Sequence, residues 1–228
     1  MKISYCITCH NEDRTLKNLL ERIKSYMGQE DEIIILDDFS TNPLTIELIE
    51  SYKNDKSIIC KLIQHALNKD YGTHKNEFGK YATGNWIFQL DSDECPHEVL
   101  LLNIKDIINS NSDIELYALP RVNDFKGVTQ EDALRWGWRL TICKEYDNRP
   151  IVNFPDFQGR LFLNVPDRIK WNRRLHEKIE GYSKFANLPP EIEFSIYHNK
   201  TIETQRKTNI RYNEWFTEEE NKGHGGIK

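Results

Sequence analysis

Carboxylates at the ends of apolar runs are the residues of this chain best suited to chemistry. Trp86-Ile87-Phe88-Gln89-Leu90 runs directly into Asp91-Ser92-Asp93, followed by Glu94. Two carboxylates one residue apart at a strand end can aim oxygens at one divalent cation. Hard oxygen donors suit Mg²⁺ or Mn²⁺, which usually also take substrate phosphates as ligands. A solvated acidic turn is the plainer reading of an isolated Asp-x-Asp, but the apolar strand in front of this one favours a metal. A second acidic pair, Asp37-Asp38, closes the apolar run Ile33 to Leu36. His198 follows the apolar stretch Ile192 to Tyr197, and an imidazole can complete the shell of a borderline ion such as Mn²⁺. A structural histidine is the alternative.

The elements that must position these groups are legible from hydrophobic spacing. Strands are expected at Ile3 to Thr8, Asp31 to Leu36, Ser57 to Gln64 and Asn85 to Leu90. Helical spacing separates them: Leu16 to Ile23, Leu44 to Tyr52 with Ser40 or Thr41 as cap and Pro43 in its first turn, and His74 to Ala82. A further helix, Val99 to Ile108, follows with Pro96 at its start. This alternation predicts an α/β fold with right-handed crossovers and an open, mostly parallel sheet. Ligands then bind at the carboxyl ends of the strands, so the two acidic clusters should face one crevice.

Beyond Leu119 the alternation stops, and Trp136, Trp138, Asp156, Arg160, Trp171, Arg173 and Arg174 crowd together. Strands at Arg160 to Leu163 and Ile192 to Tyr197 and a polar helix over Thr201 to Asn221 are expected there. With no repeat or low-complexity linker, residues 1–222 read as one domain. Its parts are an alternating α/β half over 1–118, a site-building half over 119–200, and a C-terminal helix over 201–222. Residues 223–228 read as a frayed tail.

Among the 228 residues, 31 Lys plus Arg face 36 Asp plus Glu, a net charge of −5 that excludes a generally basic nucleic-acid binder. No apolar run approaches the roughly 18 residues of a membrane helix, and the first residues lack the pattern of a signal peptide. A cytoplasmic location is therefore expected. Five scattered cysteines suit reduced thiols. Cys6 and Cys9 lie three apart on a strand, so they point to opposite faces and make a poor zinc pair. The sequence carries no signal of oligomeric state.

Three segments in order resemble the successive signatures of family 2 glycosyltransferases, enzymes of the GT-A fold. They are Ile3-Ser4-Tyr5-Cys6-Ile7-Thr8-Cys9-His10-Asn11-Glu12, Ile34-Ile35-Leu36-Asp37-Asp38-Phe39-Ser40-Thr41 and Gly84 through Glu94, with the helix His74 to Gly84 before the last. Gln158-Gly159-Arg160-Leu161-Phe162, Trp171, Leu175-His176-Glu177 and Tyr197-His198 are similar, in order, to the branch that includes lipopolysaccharide-core glucosyltransferases. The resemblance covers roughly residues 2 to 212.

The resemblance implies a metal-dependent, inverting transfer from a nucleoside-diphosphate sugar, with uridine as the default base, to an acceptor hydroxyl such as a saccharide's. It places Thr8, Asn11, Glu12, Asp37 and Asp38 around the nucleotide, Asp91 and Ser92 near the ribose, and Asp93, with Asp91 and His198, on Mn²⁺ or Mg²⁺. It assigns the general base to Glu177; an exposed Glu in a charged run is the alternative, and Asp132 is a rival. Lys75, Arg160 and the helix residues Arg206, Lys207 and Arg211 are candidates for phosphate contacts. Trp136, Trp138 and Trp171 suit an acceptor pocket or a core. A catalytically idle nucleotide-sugar or carbohydrate-binding module and a sugar nucleotidyltransferase are the competing readings. The second lacks the Gly-rich phosphate loop it would need after the first strand.

Overall fold

A computed structural model describes residues 1–221; the tail expected at 223–228 lies outside the described residues. The first half alternates as its hydrophobic pattern requires: β1 (Ile3–Cys9), α1 (Arg14–Tyr26), β2 (Glu32–Asp37), α2 (Pro43–Lys53), β3 (Ile59–Gln64), α3 (Tyr71–Asn76) and β4 (Trp86–Asp91). These four strands are mutually parallel in the order β4-β1-β2-β3. Every residue of β2 is buried, as a strand covered on both faces should be. Leu16, Leu19, Leu20 and Ile23 form the buried stripe of α1 against that sheet.

After β4 come β5 (Glu94–Pro96), α4 (Glu98–Asn109), β6 (Leu116–Leu119), β7 (Arg121–Lys126), α5 (Gln130–Trp136), β8 (Leu140–Cys143), β9 (Arg149–Val152) and β10 (Gln158–Leu163). Then follow β11 (Lys170–Asn172), β12 (Lys178–Glu180), β13 (Phe185–Asn187), β14 (Ile196–Thr201), α6 (Ile202–Trp215) and α7 (Glu218–Asn221). The large sheet has seven strands in the order β13-β6-β10-β4-β1-β2-β3, and β10 alone runs against its neighbours. Strands from both sequence halves therefore interleave in it. A second sheet, β5-β14-β7-β9-β8, stands beyond the end of β4, and β11 and β12 form a short ladder.

Several boundaries differ from the sequence expectation for identifiable reasons. The cap of α2 is Asn42, whose side chain accepts from the Leu44 amide at 2.9 Å, because the Ser40 hydroxyl is donated to Asp37 instead. Pro96 is not a helix residue: it pairs with Ile196 at the sheet edge, where a missing N–H is tolerated, and His97 caps α4. Helix α3 starts at Tyr71, capped by Asp70, and tightens into a 3₁₀ turn over Glu77–Lys80. Ile192–Phe194 is a 3₁₀ turn, so His198 lies inside β14. The C-terminal helix breaks after Trp215, and Thr217 caps α7.

Cys6 and Cys9 are buried free thiols; burial raises both, Cys9 to about 12, which disfavours thiolate ligation. Among the described residues no helix is long and apolar enough to cross a membrane.

One buried charge anchors the opposite end of the sheet. Glu32 is fully buried, and its carboxylate accepts from Ser4 Oγ at 2.7 Å and from the Thr83 amide and hydroxyl at 2.6 and 2.8 Å, with Lys61 Nζ 2.8 Å away. Burial pushes this carboxyl up, but Lys61 and the hydroxyl and amide donors outweigh it and bring it to about 2. A depressed folded-state value stabilises the fold above the unfolded value near 4.5, and that stability drains away as pH falls toward 2. Glu32→Gln should cost about 2–3 kcal/mol at pH 7 in urea unfolding and flatten the acid limb between pH 4.5 and 2.

Candidate active site

Register brings the acidic strand ends together. Thr8 pairs with Asp91 across β1 and β4, and Cys9 with Asp37 across β1 and β2. Beyond these ends lies a cleft of about 1080 Å³, walled by the carboxyl ends of the strands on one side and by β7, the β11–β12 ladder and α6 on the other.

Asp91 sits at the centre. One oxygen accepts from Thr8 Oγ1 at 2.7 Å and Gln89 Nε2 at 3.0 Å, and the other from Arg160 Nη2 at 2.8 Å. Lys75 Nζ is 3.2 Å away. Burial alone would raise this carboxyl, but Lys75, Arg160 and the two side-chain donors hold it well below the usual carboxylate range. Arg160 also reaches Gln89 Oε1 and Glu94 Oε1, each at 2.7 Å, and Lys75 also reaches Glu177 Oε1 at 2.6 Å. Both cations lie over the Trp171 ring, 4.8 Å (Lys75) and 5.9 Å (Arg160) from its centroid.

Asp93 faces a different set of groups. His198 Nε2 is 3.5 Å and Lys200 Nζ 2.9 Å from its Oδ2. His198 and Lys200 are two apart on β14, so both side chains leave the same face. The His198 Nδ1 lies 2.8 Å from Asn123 Oδ1. The amide nitrogen of Asn123 is committed to two acceptors, Val152 O and Asp156 Oδ2, so its oxygen must accept and Nδ1 carries the proton. The Nε2 lone pair is thereby aimed toward Asp93. Burial and then Lys200 lower the His198 pKa, consistent with a neutral ring. Burial pushes Asp93 up, but opposite charge beside it, the Lys200 ammonium foremost, holds it far below the usual range.

A carboxylate oxygen and an imidazole lone pair that face one another suit a divalent cation. Among the described residues no three His, Cys, Asp or Glu side chains converge as a metal-binding group. Asp91 does not join Asp93 and His198 because its carboxylate is turned to Lys75, Arg160, Thr8 and Gln89, with its side chain 32% exposed to the cleft.

Glu177 reaches the cleft from the segment between β11 and β12, whose sharp path uses positive φ at Arg173 (75°) and His176 (50°). Helix α3 lies against this segment: the Tyr71 amide donates to Arg174 O at 2.9 Å. A Cβ on Gly72 would stand 2.4 Å from the Arg173 carbonyl oxygen. Only glycine permits the approach that places Lys75 beside Glu177.

The cleft also receives Thr8, Glu12, Asp38 and Ser92. Asp38 accepts from the Leu67 amide at 2.9 Å. Asp37 lies behind this wall, buried, with its carboxylate capped by the Ser40 amide and hydroxyl. Asn11 is a tie between loops, its Oδ1 accepting from the Thr41 and Asn42 amides at 2.7 and 2.8 Å. Asp132 is the third residue of α5, closes the capping box begun by Thr129, and accepts from Arg206 Nη2 at 2.7 Å. That pair lies off the cleft, so the structure brings neither Arg206 nor Asp132 to it; Arg211 does line it. Trp136, Trp138 and Trp171 also line it; the rings of the first two are 4.6 Å apart between centroids, and Trp171 is 6% exposed and packs edge-on against Phe162.

Sequence reasoning missed the Arg121–Asp156–Asn123 chain that orients His198. Arg121 Nη2 lies 2.7 Å from Asp156 Oδ2, and its Nη1 is 3.1 Å from Glu94 Oε1. It also missed Lys200 and the α6 stripe of Gln205, Thr208, Tyr212 and Trp215 that roofs the cleft. The stripe's 3- and 4-residue spacing was available as a signal.

A parallel sheet broken by one antiparallel strand, with paired acidic strand ends facing a second small sheet, defines a GT-A type glycosyltransferase fold. The match described as Glycosyl transferase family 2 spans residues 4–181, and the chain belongs to that family. It is 22% identical over 222 residues to the glycosyltransferase SunS of Bacillus subtilis (strain 168), covering 93% of this chain and 44% of that one. It is 33% identical over 93 residues to EpsE of the same organism, covering 41% of this chain and 33% of that one. The chain thus spans less than half the length of these curated relatives. The structure of S. aureus TarS residues 1–349 in complex with UDP-GlcNAc superposes with a TM-score of 0.60 at 19% identity, over 88% of this chain and 59% of that one.

Gly72→Ala should destabilise the fold by about 1–3 kcal/mol in urea unfolding, because backbone rather than a flexible side chain must yield.

Proposed function

We propose that the chain transfers a sugar from a nucleoside-diphosphate sugar, with UDP as the expected carrier, to an acceptor hydroxyl, with inversion at the anomeric carbon. The observation that carries this reading is the convergence of Asp38, Asp91, Asp93 and Glu177, from three separate segments, on one cleft. In this reading Asp38 accepts from the base edge and Asp91 from the ribose, since ionised carboxylates are acceptors and both partners are donors. The family membership and the likeness to TarS support it.

Asp93 and His198 are the residues that would hold Mn²⁺ or Mg²⁺, which when bound stabilises negative charge on the departing diphosphate. Arg211, on the cleft face of α6, supplies further positive charge. Glu177 takes the proton of the acceptor hydroxyl as it attacks, and Lys75 fixes that carboxylate at 2.6 Å. Trp136 and Trp138 present flat apolar faces to the acceptor's C–H surfaces. Glu177 is favoured over Asp132 because only Glu177 faces the cleft.

UDP at a hundred times its dissociation constant, with Mn²⁺, should stabilise the fold by about 2.7 kcal/mol in a thermal-shift assay. GDP, CDP and dTDP serve as comparators, and the absence of any shift would sink the donor assignment. Glu177→Gln should retain that shift yet lower kcat at least about a hundredfold. If instead it turns over like the parent while Asp132→Asn is dead, the base lies on α5. Hydrolysis of a UDP-sugar without acceptor separates an enzyme from an idle binding module.

A further inference from the structure

Lys200 stands where no role has yet been given to it. Its side chain is 18% exposed, and its ammonium contacts Asp93 Oδ2 at 2.9 Å, the same oxygen that His198 Nε2 faces at 3.5 Å. The Lys200 ammonium therefore already stands against the Asp93 oxygen that a divalent ion would take.

We propose that Lys200 is the resident counter-cation of the Asp93–His198 seat and competes there with a divalent ion. This deepens the proposed transferase reading and rests on it for the seat's purpose. A divalent ion bound to Asp93 and the ammonium 2.9 Å from the same oxygen carry like charge in a largely buried place. The metal can therefore settle only by displacing Lys200 toward the cleft. Lys200 lines that cleft, so its displaced ammonium faces the space a diphosphate would fill. Glu12, whose carboxyl burial raises and which feels both Asp93 and Lys200, is the other carboxylate flanking this arrangement. Lys200 thus weakens metal binding to the free protein and keeps Asp93 neutralised until a donor arrives.

The test is Mn²⁺ binding to the whole chain without nucleotide, read by calorimetry and by the electron paramagnetic resonance signal of free Mn²⁺. Lys200→Gln should bind Mn²⁺ at least about tenfold more tightly than the parent, because the competing charge is gone. Lys200→Arg should stay near the parent, and Asp93→Asn placed in the Lys200→Gln background should abolish the gain. Lys200→Met gives the same readout if Lys200→Gln fails to fold. Equal or weaker binding by the neutral variants, or no Mn²⁺ binding by parent and variants alike, overturns the proposal. UDP binding at saturating Mn²⁺ is measured separately: its failure would overturn the nucleoside-diphosphate reading and leave the nucleotide-free competition result standing.

Discussion

The site depends on one carboxylate at the floor of the cleft being held by buried cations from two distant parts of the chain. Asp91 ends β4, and it is met by Arg160 from β10 and by Lys75 from α3. Each cation then holds a second acid: Arg160 holds Glu94, and Lys75 holds Glu177. Burial of such charges is costly unless every one is partnered. Removing one member leaves its direct neighbours with one partner fewer in a poorly solvated place. That makes the network a better device for fixing geometry than for adding stability, and it fixes the spacing between the donor side of the cleft and the proposed base.

The second sheet does comparable positioning work for Asp93. Its strand β14 presents His198 and Lys200 on one face, and the adjacent parallel strand β7 supplies Asn123 opposite His198. Arg121, Asp156 and Asn123 continue the chain of contacts back to Glu94. The two sheets are therefore linked by polar contacts at the cleft as well as by the short passage from β4 to β5. The acids of the Asp91-Ser92-Asp93 triplet point into different surroundings, one toward cations of the large sheet and the other toward the small sheet.

The first half was legible because β1, β2 and β4 are buried on both faces and α1 and α4 carry apolar stripes. β1 to β4 and the helices between them lie within a few residues of expectation, and so do the strand ends that carry Asp38, Asp91 and Asp93. The second half was not legible for physical reasons. β8, β9 and β11 to β13 are only three or four residues long, too short to establish a period of two, and they gain stability from pairing rather than from pattern. Pro96 has a respectable helix-start reading that only the distant partner Ile196 overrides. Asp37 and Asp38 are indistinguishable in sequence, yet the alternation of a strand sends one behind the wall and the other into the cleft. Asp132 and Arg206 looked catalytic or phosphate-binding as residue types, and their mutual ion pair was invisible until α5 and α6 were seen side by side.

The placement of β10 has a consequence for the nascent chain. β4 is the strand that ends in Asp91, and its neighbours in the sheet are β1 and β10. Residues 158–163 are made long after residue 91, so as the ribosome delivers the chain β4 remains an open edge through about seventy residues of synthesis, roughly 4–14 seconds at common elongation rates. An apolar, unpaired edge is the feature most prone to pair with a wrong chain. Here it ends in charged residues whose partners, Arg160 among them, arrive with the strand that closes it. Closure of the sheet and the arrival of Arg160 at Asp91 are then a single late event, which puts completion of the site at the end of folding.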